Sequence, residues 1–272
     1  MFDALRGRKD LPREISNSQL LIDLGNSRLK WALWHAGVLV PGKPIEHRDG
    51  QLGDLQALLA GAERAANVWI SSTALGLSAS LQAALGERLA RVTRFFTSPA
   101  RALGIQSAYP APEKLGCDRF LAMVGAAARV RDAFLLADAG TALTLDLVDA
   151  LGTHHGGLIV PGPELMRSAL HRGTAGVRAH ALRKLQPFAD NTSDAVWSGA
   201  LQACIAVIER SHALAGARFK TPPQLLLSGG AAGLLGANLR LEHQQLPDLV
   251  LEGLGRWADE ALAARDVDTA LR

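Results

Sequence analysis

Two carboxylates in this chain share one setting. Asp23 follows the apolar run Leu20-Leu21-Ile22 and precedes Leu24-Gly25-Asn26-Ser27-Arg28-Leu29-Lys30-Trp31. Asp138 follows Leu135-Leu136-Ala137 and precedes Ala139-Gly140-Thr141-Ala142-Leu143-Thr144-Leu145-Asp146. Each stretch predicts strand, Asp, glycine turn, small polar residue, strand. The two are expected to be equivalent hairpins in two related halves. Gly25 and Gly140 let the backbone turn tightly and approach a bulky anion. Asn26, Ser27 and Thr141 add side-chain donors beside the backbone N–H groups of the bend. Asp23 and Asp138 stand where a strand ends, placed to hold a cation or a metal-bound water near phosphate. Asp, Gly and Asn are also ordinary turn residues, so one such loop would pass for a plain hairpin. Its recurrence favours a phosphate-binding device.

A third stretch, Tyr109-Pro110-Ala111-Pro112-Glu113-Lys114-Leu115-Gly116-Cys117-Asp118-Arg119, carries different chemistry. Its prolines predict an extended loop, and Phe120 to Val130 predicts an Ala-rich helix after it. Asp118 and Arg119 therefore stand at or near a helix N-terminus. A carboxylate suits that place, stabilising the helix by ~1 kcal/mol. A cation does not, so Arg119 needs another reason, and an anionic ligand would be one. Tyr109, the one tyrosine of the chain, suits either a packed rim or a ligand contact. Further on, Gln224 to Ser228 predicts a buried strand ending in Gly229-Gly230. An α/β sheet opens its ligand crevice there, although a simple strand-to-helix turn reads the same way.

Two motifs are decoys. Gly37-Val38-Leu39-Val40-Pro41-Gly42-Lys43-Pro44 has the glycines and lysine of a Walker loop. Pro44 replaces the hydroxyl residue that magnesium requires, and no helix can begin there in the usual way. His154 and His155 are adjacent on a predicted strand, so they point to opposite faces and do not make a metal pair.

The positioning elements alternate. Helices are expected over Asp54–Ala66, Leu77–Ala90, Glu164–His171, Ser193–Ala213, with Thr192 as its N-cap, and Leu249–Ala264. Short strands are expected at Val68–Ile70 and Val92–Phe96, and Gly173 to Asp190 reads as irregular. Such alternation indicates an α/β fold. With 272 residues, 48% hydrophobic and 20% charged, the chain can bury full cores and is not disordered. A formal charge of +3 suits an anionic small ligand, and no basic run interleaved with aromatics argues for nucleic acid. Cys117 and Cys204 form neither a secreted framework nor a zinc site. No stretch is apolar for long enough to span a bilayer, and Met1 to Ser18 lacks the apolar core of a signal peptide. A cytoplasmic protein is expected.

Asp23-Leu-Gly-Asn-Ser-Arg-Leu-Lys30, Gly116-Cys-Asp-Arg119, Asp138-Ala-Gly-Thr141 and Ser228-Gly-Gly230, in this order, resemble type III pantothenate kinases. These belong to the superfamily of acetate and sugar kinases, Hsp70 chaperones and actin. The resemblance implies two ribonuclease-H-like (actin-like ATPase) domains, 19–131 and 132–272, behind a polar extension over 1–18, with ATP in an interdomain cleft. It implies ATP-dependent phosphorylation of pantothenate to 4'-phosphopantothenate by a homodimer. Asp23, Leu24, Gly25, Asn26, Ser27, Arg28, Leu29 and Lys30 would wrap the phosphates, Asp23 acting on Mg2+ through water. Gly140, Thr141, Gly229 and Gly230 would also touch ATP. Asp138 would take a monovalent cation, K+ or NH4+. Tyr109, Gly116, Cys117, Asp118, Arg119 and Thr192 would hold pantothenate, with Asp118 as proton acceptor and the Arg119 fork on the substrate carboxylate. A sugar or acetate kinase of the same superfamily is the alternative enzyme. An ATP-binding regulator is the alternative from another class, with no helix-turn-helix signature to support it.

Overall fold

The apolar run before Asp23 forms β1 (Ser18–Leu24), and the polar bend after it leads into β2 (Arg28–His35). The computed structural model describes residues 18–48, 51–63, 65–174 and 185–270. The extension expected before Ser18 and part of the irregular stretch after Gly173 lie outside them. β3 (Val38–Pro41), β4 (Ile45–Arg48), β5 (Gln51–Leu52), α1 (Gln56–Ala62), β6 (Ala65–Ser72), α2 (Leu75–Ala90) and β7 (Thr93–Phe95) follow. The strands form a seven-stranded sheet in the order β5-β4-β2-β1-β6-β7, with β3 also on β2. Leu20, Ile22 and Leu24 of β1 join Leu58 of α1 and Leu77, Leu81 and Leu85 of α2 in one core. Side chains alternate along a strand, so Asp23 projects from the other face. The helix expected to start at Asp54 spans only Gln56–Ala62, because Ala65 already enters β6.

The Walker-like stretch is the edge strand β3. Gly42 lies flat against the Trp31 ring, donating its amide to the Trp31 carbonyl at 2.9 Å, while Trp31 Nε1 donates to the Lys43 carbonyl at 3.0 Å. No helix begins there.

The second half continues with the short pair β8 (Arg101–Ala102) and β9 (Ile105–Gln106), then α3 (Cys117–Ala127), β10 (Phe134–Ala139), β11 (Ala142–Val148), β12 (His154–Pro161) and α4 (Pro163–Gly173). α5 (Thr192–Phe219), β13 (Gln224–Ser228), α6 (Ala232–Gly236), β14 (Gln244–Gln245) and α7 (Leu249–Ala270) complete it. A five-stranded sheet runs β12-β11-β10-β13-β14. Leu135, Ala137 and Ala139 of β10 pack with Leu201, Cys204 and Ile208 of α5. Asp138, again by alternation, projects from the opposite face.

The two sheets repeat one plan. Asp23 pairs with Lys30 of the antiparallel β2 and with Ser71 of the parallel β6. Asp138 pairs with Thr144 of the antiparallel β11 and with Ser228 of the parallel β13. The chain divides into two compact units, one ending at Phe96 and resuming at Ala258, the other running from Thr97 to Trp257. The sequence boundary drawn at 131/132 thus differs from the division seen here. α3 belongs with the later strands because it packs on β9 and β11 and on the first turns of α7, where Arg129 pairs with Glu252.

Candidate functional site

In the first unit the polar bend is closed by its own backbone and by a histidine. The Gly25 amide donates to the Arg28 carbonyl at 3.1 Å. His47 of β4 lies with Nε2 2.8 Å from the Gly25 carbonyl, so that nitrogen carries the hydrogen. Asn26, Ser27 and Arg28 are exposed at the tip. Lys30 is half-buried, two residues into β2 from the bend.

In the second unit the matching bend is one residue shorter, with the Gly140 amide donating to the Ala142 carbonyl at 2.9 Å. The double glycine comes to the same place. Gly229 has a φ of 86°, and a Cβ there would stand 2.5 Å from both the Asp138 carboxylate and the Ala139 carbonyl. The site tolerates only glycine, since both the conformation and the space exclude a side chain. Asp138, Gly140, Thr141, Gly229 and Gly230 are therefore neighbours at one end of this sheet. Oxygen donors of this kind suit a hard cation.

The Gly116–Arg119 stretch starts α3 earlier than the sequence predicts. Gly116 is the N-cap position, and Asp118 lies in the first turn. The preceding loop is not extended throughout. Pro112 opens a short 3-10 turn through Lys114, since proline is pre-shaped for a first helical position. Ser98 Oγ ties the loop down by donating to the Leu115 carbonyl at 2.9 Å. Asp118 Oδ1 accepts the Arg119 amide at 2.8 Å, and the carboxylate makes no ion pair among the described residues. Burial pushes its pKa up, and the amide and charge of Arg119 pull part of the way back.

The Arg119 fork is held by Asp146 of β11. Nε donates to Oδ2 at 3.0 Å and Nη2 to Oδ1 at 2.6 Å, and the two residues are 6% and 1% exposed. Nη1 donates to the Tyr109 hydroxyl at 3.0 Å. Burial alone would lower the Arg119 pKa. The hydrogen bonds and charge of Asp146, with the Tyr109 hydroxyl, outweigh that and raise it.

His154 completes the cluster. Its Nδ1 accepts the Ala108 amide at 3.4 Å, and its Nε2 donates to Asp146 Oδ1 at 3.0 Å. The ring stacks on Tyr109 with centroids 6.3 Å apart. His155 faces the other way, on Asp149 at 2.8 Å, so the paired histidines do not share a ligand. Among the described residues no group of three or more His, Cys, Asp or Glu could hold a metal by itself. Neither Asp146 nor His154 lies in a motif that marks it as functional. The alternation Leu143-Thr144-Leu145-Asp146 could have flagged Asp146, because a charge on a covered sheet face requires a partner.

Thr192 is exposed as the first residue of α5 and is not its cap. Asn191 caps that helix, its side chain accepting the Asp194 amide at 3.0 Å. Cys117 and Cys204 are not in a disulfide. No helix among the described residues is long and apolar enough to cross a membrane.

Residues 19–213 match the family model described as type III pantothenate kinase. The type III pantothenate kinase of Nitrosomonas eutropha is 37% identical over 245 residues, covering 88% of this chain and 94% of that protein. That of Stenotrophomonas maltophilia (strain R551-3) is 39% identical over 254 residues, covering 89% and 97%. Among solved structures, an activator of 2-hydroxyisocaproyl-CoA dehydratase from Clostridium difficile with bound ADPNP aligns at a TM-score of 0.53 and 11% identity, over 92% of this chain and 97% of that one. At that identity the likeness concerns the fold alone.

Proposed function

The chain belongs to the type III pantothenate kinase family, and on that premise we propose which of its residues carry the ATP-dependent phosphorylation of pantothenate, a step of coenzyme A biosynthesis. The γ-phosphoryl group of ATP passes to the primary hydroxyl of pantothenate. Such a transfer depends on positioning and charge neutralisation, with little covalent work for the protein. Asp118 accepts the hydroxyl proton. The observation that carries this assignment is a half-buried carboxylate at the start of α3, beside an arginine yet outside its ion pair. Burial raises its pKa, which makes it a better base than an exposed aspartate.

Asp23 to Lys30 hold the phosphate chain through the exposed donors of Asn26, Ser27 and Arg28. Gly140 and Thr141 add donors, and Gly229-Gly230 lie along the adenosine. The family uses a divalent metal. Magnesium keeps most of its waters and is bound by one or two carboxylates with substrate phosphates. Asp23, at the end of β1, fits such water-mediated contact. The metal would supply charge neutralisation at the phosphates. Asp138, with the Ala139 carbonyl beside it, fits a monovalent cation.

Tyr109, Gly116, Cys117 and Thr192 line the pantothenate side. Arg119 reaches substrate only through donors that Asp146 leaves over, since five N–H groups exceed the three in use. Leu158 and Ile159 on the edge strand β12 and Leu170 on α4 are exposed. Apolar residues in such positions support a homodimer. Two cysteines outside a disulfide suit a reducing cytoplasm.

The test is ADP release with pantothenate as acceptor, with and without potassium, alongside a panel of sugars and acetate. Turnover specific to pantothenate is expected. Preference for a sugar or acetate would replace the reading with the alternative kinase.

A further inference from the structure

The cluster around Arg119 has a member that neither the family motif nor the phosphate loops account for. Asp146 sits on β11, on the face shared with Asp138, and bonds to two other elements. It holds the Arg119 fork from α3 with two hydrogen bonds and accepts from His154 of β12. Through these two residues it also fixes the loop before α3. Arg119 carries the Tyr109 hydroxyl, and His154 carries the Ala108 amide. The approach is made possible by Gly157, which pairs with Asp146 in the sheet. A Cβ there would stand 2.5 Å from Arg119 Nη2 and 2.6 Å from Asp146 Oδ1.

We propose that Asp146 is a positioning residue for the phosphoryl transfer: by holding the Arg119 fork and balancing its charge, it leaves the adjacent Asp118 carboxylate outside any ion pair and open to the acceptor hydroxyl. The proposal rests on Asp118 being the proton acceptor. An arginine beside an aspartate in a buried setting would otherwise claim it, since such pairing is the strong charge-assisted kind. A carboxylate so claimed has its lone pairs occupied and is a poorer base. Among the described residues, the charged groups that act on Asp118 are Arg119 beside it on α3 and Asp146 of β11. Tyr109 and His154 bond to these two. The effects of Arg119 and Asp146 on the Asp118 charge have opposite sign. Removing either one should therefore move the base in opposite directions, which loss of packing would not do.

The experiment measures kcat against pH for wild type, Asp146→Asn, Arg119→Gln and the double variant, with Asp118→Asn in parallel. In Asp146→Asn the acidic limb of kcat should move to lower pH, and the plateau should fall on the order of 10-fold to 100-fold, as for a misplaced reacting group. The KM for ATP should hold. In Arg119→Gln the limb should move to higher pH, and in the double variant it should return towards wild type. A limb unmoved in both single variants overturns the proposal. If Asp146→Asn does not fold, Asp146→Ser takes its place: a limb moved to lower pH supports the proposal and an unmoved limb overturns it. Asp118→Asn separates the two claims. Wild-type turnover in that variant removes the base assignment itself, whereas an inactive Asp118→Asn with unmoved limbs in the others removes only Asp146.

Discussion

Replacing Asp118 by asparagine changes one atom of the side chain and should separate rate from stability. The amide keeps an Oδ1 that can accept the Arg119 N–H, a bond of 2.8 Å in the native turn. The start of α3 should therefore hold its shape. On the proposed mechanism the proton acceptor is lost. A positioned general base contributes ~10²–10⁴-fold, which at 1.36 kcal/mol per tenfold is about 2.7–5.4 kcal/mol on the barrier. Stability should move the other way. Burial raises the Asp118 pKa, and Arg119 offsets only part of that. A carboxyl whose folded pKa lies above its unfolded value of 3.8 is best accommodated as the neutral acid. Its contribution is fully present below that value and is lost as pH rises through the raised folded pKa. At neutral pH the native protein carries the whole cost of a buried charge, and asparagine does not. ADP release at saturating ATP and pantothenate gives the rate, and urea midpoints at pH 4 and pH 7 give the stability. The variant should lose at least two orders of magnitude in turnover with ATP affinity kept. Its midpoint should equal or exceed that of wild type at pH 7, with the difference shrinking towards pH 4. Turnover within about 3-fold of wild type would refute the base, given the contribution expected of one. A midpoint well below wild type at pH 7 alone would refute the charge-burial account.

Three further outcomes are expected. His47→Ala removes the donor on the Gly25 carbonyl, 2.8 Å away. Losing about 1 kcal/mol of loop bracing should raise the KM for ATP roughly 5-fold and leave that for pantothenate unchanged, as steady-state kinetics will show. Gly229→Ala forces a Cβ against Asp138 and Ala139 at a φ of 86°, so both ATP affinity and the response to potassium should weaken in titrations with each. Cys204 is buried within the core under α5, and burial pushes its thiol pKa up to about 11. Alkylation at pH 8 should spare Cys204 in the folded protein and reach it after denaturation, as peptide mass mapping will show.

What could be read in the sequence was what the chain encodes locally. Asp23-Leu24-Gly25 and Asp138-Ala139-Gly140 announce themselves because strand, carboxylate and turn are contiguous, and the sheets pair them alike. Pro44 excludes a Walker loop from the glycines before it, and β3 lies there as an edge strand. Element ends were less legible. α3 begins at Cys117 because Gly116 already lies in the cap position, and α5 is capped by Asn191, whose Oδ1 reaches the Asp194 amide. Both Asn191 and Thr192 are competent caps, so composition could not choose between them.

The role of Asp146 was illegible for a different reason. Its partners stand 27 positions before it and 8 after, on a helix and on the next strand but one from β10. Nothing in local spacing joins them. The physics of the pair also bears on its purpose. Burying an arginine with an aspartate removes both from water, and the mutual attraction recovers little beyond that loss. Apolar side chains of the same volume would hold α3 to the sheet as well. Fold stability therefore does not account for a charged pair, nearly sealed from solvent, one residue from Asp118, the proposed proton acceptor. The proposed placement of that carboxylate does, because the Asp146 countercharge occupies Arg119 donors that could otherwise turn to Asp118.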